Sequence, residues 1–182
     1  MDELDAERTV RSIVHRESPY TSEMQLALVS RRLDKAMLLR VLEKLTGDFG
    51  YEGIWAIHAL VGLDEQRAQQ AAIRWLNHPD HNARSIGLDI LLRHWVKDAP
   101  VDKVIDLARN DPDENVRYRS ILILGEIGDE RALEVLEWIK DNDEGENWEG
   151  EPLKYTAECA ICQIQQRLSS AASPTPPPLW AG

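Results

Sequence analysis

The sequence predicts an all-α fold: a short right-handed solenoid of stacked helix pairs behind an N-terminal helical cap. Three observations predict it. Asn77-His78-Pro79-Asp80-His81-Asn82-Ala83-Arg84 nearly repeats as Asn110-Asp111-Pro112-Asp113-Glu114-Asn115-Val116-Arg117, with five of eight positions identical at an offset of 33 residues. Each copy opens an apolar segment of helical length, and such a period marks units that cannot bury their apolar faces alone and therefore stack. Three later segments, Ala72–Leu76, Val104–Ala108 and Val135–Ile139, also superpose, polar at the third position and apolar elsewhere. Lastly, the run Ile121-Leu122-Ile123-Leu124 sits among Val116, Ser120 and Ile127 at helical spacing, so it reads as helix rather than buried strand.

The elements follow in order. Asp5 to Arg16 places Val10, Ile13 and Val14 on one helical face. Ser18-Pro19-Tyr20 breaks the pattern, and Thr21 or Ser22 caps a second helix carrying Met24, Leu26, Leu28 and Val29. Asp34 caps a third, with Met37, Leu38, Val41, Leu42 and Leu45 at helical spacing, stopped by Gly47. These helices form the expected cap, residues 1–50. From Tyr51 the pairs become regular, and repeats are expected over 51–168. Their first helices run roughly over 53–61, 82–96, 115–127 and 153–168, their second over 65–77, 101–110 and 131–141. Trp55, Trp75, Trp95 and Trp138 are expected in the core. Gly87, Ser120 and Ala157 fall at one equivalent position, and Gly125 and Cys162 at another, where small residues let helices approach closely. Residues 169–182, rich in Ser and Pro, predict a flexible, polyproline-like tail with no helix.

Charge narrows the function. Acidic residues outnumber basic ones by 32 to 21, a net charge of −11. That field repels phosphate backbones, so no nucleic-acid partner is expected. A basic protein would be drawn in faster by the same field. No run of the roughly 18 apolar residues that a membrane span needs is present. The opening Met1-Asp2-Glu3-Leu4-Asp5 lacks the features of a signal peptide, and two cysteines suit a reducing compartment, so a cytoplasmic location is expected.

The segment Asp111-Pro112-Asp113-Glu114-Asn115-Val116-Arg117, with Ser120-Ile121-Leu122-Ile123-Leu124-Gly125-Glu126-Ile127-Gly128-Asp129 after it, resembles a HEAT-like repeat. It is similar to the variety in phycobilisome bilin-lyase subunits and many bacterial HEAT-repeat proteins. The likeness extends to the copy at Asn77 and fades at Tyr51 and Leu153. Prolines 79 and 112 are expected to start helices, with Asp80 and Asp113, or Asn82 and Asn115, as caps. The resemblance implies that Arg84 and Arg117 reach the acidic turn of a neighbouring repeat. It also implies that the second helices line a concave binding face, with outward columns Ala71/Lys103/Glu134, Arg74/Asp106/Glu137 and Asn77/Arg109/Lys140.

No catalytic constellation is legible, and the chain reads as non-enzymatic, with no cofactor and no metal site. Cys159-Ala160-Ile161-Cys162 lies inside a helix and lacks the second ligand pair that zinc needs, so its alignment with Gly125 predicts a core role. His78 and His81 read as solvated turn residues or helix-start contacts rather than metal ligands. Residues 141–151 carry six carboxylates but put Glu146 and Pro152 where a calcium loop wants Gly and a carboxylate, so they predict no EF-hand. That stretch is either a solvated insertion or an acidic contact loop anchored by Trp148. The predicted partner-binding residues are Arg74, Asp106, Arg109, Glu134, Glu137, Asp143, Glu144, Glu146 and Trp148. The expected function is an adaptor or acidic inhibitor, of the immunity-protein type, acting on a basic protein. The alternative is a bilin-lyase-like assembly factor holding a tetrapyrrole. A lesion glycosylase on such repeats would need a basic concave face, which the charge opposes.

Overall fold

Helices follow one another through the computed structural model, which describes residues 2–15 and 33–172. Among the described residues there are nine α-helices, one 3₁₀ turn and a single extended bridge. The all-α class therefore holds, with neighbouring helices packed as in a solenoid. The chain divides into two compact units, Met1–Leu91 and Leu92–Gly182.

The first unit contains α1 (Glu3–Val14), α2 (Lys35–Leu45), α3 (Tyr51–Leu63) and α4 (Glu65–Trp75), and most of α5 (His81–His94). Asp2, Asp34 and Asp64 cap α1, α2 and α4, each side chain accepting from the backbone N–H three residues on. α1 buries Ala6, Val10, Ile13 and Val14, and it packs on both α2 and α3. The cap helices and the first repeat helices thus pack together within this one unit. Gly53 permits the tight turn between α2 and α3, since a Cβ there would lie 2.3 Å from the Asp48 carbonyl oxygen. Gly87 lets α5 close onto α4, where a Cβ would come within 2.8 Å of the Ala72 carbonyl oxygen. Trp75 is core, as expected, and its indole N–H donates to the Thr46 carbonyl at 2.8 Å. Trp55 is also fully buried. The helix expected after Thr21 or Ser22 lies outside the described residues.

The second unit holds the 3₁₀ turn Val96–Asp98, then α6 (Val101–Asn110), α7 (Glu114–Ile127), α8 (Glu130–Asn142) and α9 (Leu153–Ala172). α6 packs on α7 and α8, and α9 packs on α7 and α8. With neighbours on opposite sides, α7 buries Ile121, Ile123 and Leu124 together, which explains the run that mimicked a strand. Gly125 sits against Ala160 of α9, as the small-residue column predicts. Arg167 of α9 donates to the carbonyls of Gly125 and, at 2.9 Å, Gly128, placing a cation on the C-terminal end of α7.

Four expectations are corrected. Pro112 does not occupy the first helical turn; it precedes the cap Asp113, whose carboxylate accepts from the Val116 N–H at 3.0 Å. Trp95 is only half-buried, because α5 ends at His94 and the tryptophan sits in the link to the 3₁₀ turn. α9 continues to Ala172, four residues past the expected end of the repeats, with Ser169 and Ser170 hydroxyls bonded back to Gln165 and Gln166 carbonyls. Residues 173–182, the remainder of the expected tail, lie outside the described residues. Finally, Cys159 and Cys162 are exposed, not core, since they fall on the face of α9 opposite Ala157, Ala160, Ile161 and Ile164.

Candidate functional site

The repeated Asn-x-Pro-Asp turn builds a polar anchor in both copies. In the first unit Arg84 donates from Nη1 to the His78 and Pro79 carbonyls, both at 2.9 Å. In the second, Arg117 Nη1 does the same to Asp111 and Pro112, at 3.1 and 3.4 Å. The rest of the Arg117 guanidinium forks onto Asp143 at the end of α8, with Nε to Oδ2 at 2.7 Å and Nη2 to Oδ1 at 2.9 Å. The Arg117 side chain is 14% exposed and that of Asp143 6%, so this is a buried bidentate pair. The inter-repeat reach expected of Arg117 is therefore made. Asp143, expected to contact a partner, is instead consumed inside the unit.

From that anchor residues 143–152 form a small ordered hairpin, not a loose insertion. Asp143 also accepts from the Gly145 N–H at 2.8 Å, and a Cβ on Gly145 would lie 2.4 Å from Arg117 Nη2. Glu146 pairs with Pro152, and the Asn147 N–H donates to the Glu151 carbonyl at 2.9 Å. The chain reverses over Asn147–Gly150, with Gly150 at φ +81°, a conformation that favours glycine. Asn147 is 5% exposed, and its Oδ1 accepts from the Glu149 and Glu151 N–H groups. Trp148 stands at the tip, 68% exposed, with Glu144, Glu146, Glu149 and Glu151 also exposed. The signal for this turn was Asn147 followed by Gly150, a spacing obscured by the surrounding carboxylates.

Beside the hairpin, α6 and α8 present adjoining solvent faces. α6 exposes Asp102, Asp106, Arg109 and Asn110, while α8 exposes Glu134, Glu137, Trp138 and Asp141. Side-chain hydrogen bonds from Asn110 and then Lys103 hold the Asp106 carboxyl below its ordinary value. The Arg131 guanidinium does the same to Asp129, the cap of α8. Arg109 lies over the Trp138 ring, 5.0 Å from its centroid, a cation–π contact that joins the two helices at the surface. A shallow cavity of about 330 Å³ opens there, lined by Arg109, Arg117, Trp138, Asn142 and Glu144 among others.

Trp138 is the residue that alignment misplaced. In the first two copies the five-residue segment is buried at its first, fourth and fifth positions. In the third copy Leu136 turns inward and Trp138 outward, to 38% exposure, because Ala132, Val135, Leu136 and Ile139 already fill the inner face. The same check removes Ala71 from the outward columns, since it is fully buried. Of the expected binding residues, Arg74 is exposed in the first unit and donates to the Thr46 hydroxyl at 3.2 Å. The other eight belong to the second unit. Among these Asp106, Arg109, Glu134, Glu137, Glu144, Glu146 and Trp148 are exposed, and only Asp143 is withdrawn. His78 serves its own turn, its Nδ1 accepting from the Asp80 N–H at 3.0 Å.

Residues 90–147 match the family model of HEAT repeats, a span that runs from the end of α5 through α6, α7 and α8 into the first half of the hairpin. HEAT repeats are generally scaffolds for protein interaction. No curated protein and no solved structure matches the chain. Among the described residues no helix is long and apolar enough to cross a membrane.

Proposed function

We propose that the second unit is a non-enzymatic docking module for a basic protein, as an adaptor or an acidic inhibitor of the immunity type. One observation carries this reading: Trp148 is held exposed at the tip of an internally bonded hairpin, ringed by exposed glutamates and beside the acidic outer face of α8. A large aromatic kept in water on an ordered turn is already organised for burial by a partner, and it loses little entropy in doing so. The surrounding carboxylates select for cationic side chains and speed encounter. The cytoplasm is the compartment proposed for this activity.

The test is capture from source-cell lysate by the wild type and by the E137K/W148A variant, with circular dichroism and melting as folding controls. The reading requires a basic protein retained by the wild type and lost by the variant at unchanged helicity. Retention by both proteins would sink it. The bilin-lyase-like alternative rests on repeat type alone. Two cavities of the second unit are lined mainly by polar groups such as Lys140, Asp141, Asn142 and Glu144, with Trp138 in one of them, whereas ligand pockets of that kind are mostly apolar.

A further inference from the structure

We propose that Cys159 and Cys162 form a two-thiolate binding site for a soft monovalent cation of the Cu(I) type. Both thiols are free and exposed, and they lie three residues apart within the twenty-residue helix α9. That spacing puts them on one face, with Cβ atoms about 5–6 Å apart. A disulfide needs Cβ atoms roughly 3.5–4.5 Å apart, so closing one here would distort the middle of α9. An ion bridging the two sulfurs, with bonds of roughly 2.3 Å as in zinc thiolates, spans the gap that the helix leaves. Helical geometry thus favours a bridging ion over a bond.

Ligand number then selects the ion. Among the described residues no group of three or more His, Cys, Asp and Glu side chains is gathered to hold a metal. Structural zinc asks for four such ligands. A soft ion such as Cu(I) prefers thiolates and is satisfied by two of them. Each thiol releases its proton as its sulfur binds, so one cation replaces two protons and the site becomes singly negative. The opposite face of α9 buries Ala157, Ala160 and Ile161, which keeps the helix in place while the cysteines face water.

The experiment titrates reduced full-length protein against the coloured Cu(I)–bicinchoninate complex, with mass spectrometry under native conditions. The wild type should withdraw one Cu(I) per chain as a monomer. C159S and C162S should each weaken binding at least a hundredfold while helicity stays unchanged. Absence of withdrawal by the wild type would overturn the site, as would undiminished binding by either serine variant. One ion shared between two chains would overturn it too, and so would air oxidation to an intrachain disulfide that leaves the helical signal intact.

Discussion

Asp143 should be the costliest single residue to remove from the second unit. Its carboxylate takes both free arms of Arg117 and the Gly145 N–H, almost out of water. Asp143→Ala would leave a buried guanidinium without its counter-charge, which costs about 3–5 kcal/mol. Urea unfolding should show that loss, and Glu144→Ala one residue on, exposed, should show almost none. Asp129 and Asp106 make stability depend on acid. Asp129, held low by Arg131, and Asp106, held low by Asn110 and Lys103, carry fewer protons folded than unfolded. Their contribution is therefore complete above the ordinary carboxylate range and is lost as pH falls through the lowered values. Asp129→Asn should narrow the gap between the melting temperatures at about pH 7 and about pH 3.

The hairpin is the element on which the functional reading depends, and Asn147 is its internal staple. Replacing it with Ala strands the Glu149 and Glu151 N–H groups that its side chain now satisfies. The local cost is about 1–3 kcal/mol, a roughly five- to 150-fold rise in opening. Hydrogen exchange should quicken by that factor over 147–151 and stay unchanged in α7. Equal acceleration in α7 would mean that hairpin and helix open together. Most of the described helices were legible to within a few residues, because apolar spacing marks their buried faces and five of them open on an aspartate cap. Asp34 and Asp113 are such caps. The hairpin was not legible, since its order comes from one buried amide and one buried ion pair rather than from any periodicity.

For the molecule as a whole, the net charge of −11 makes the medium part of the recognition. A basic partner steered by that field should associate more slowly as salt screens it, over a screening length of about 10 Å at 0.1 M and 3 Å at 1 M. Capture by the wild type should weaken between these concentrations. Capture that persists undiminished would point to an apolar contact through Trp148 or Trp138 instead. The division near Leu91 also separates Arg74 from the other expected binding residues by unit, so the charged face described here belongs to the second unit alone.

The sequence by itself determined most of the helices, several of their caps and the repeat of the Asn-x-Pro-Asp turn, because hydrogen-bonded ends and apolar faces are local properties of the chain. It also determined the acidic character of the surface, which is a sum over residues. Only the tertiary structure decided what each aligned residue does. Trp138 and Trp75 share a column, yet one is at the surface and the other in the core. Asp143 and Glu144 are neighbours, yet one is locked to Arg117 and the other faces water. Gly125 and Cys162 align as well, but Gly125 is pressed against α9 and Cys162 is exposed. Burial depends on which neighbour covers a face, and a repeat pattern cannot say which of its copies is left uncovered.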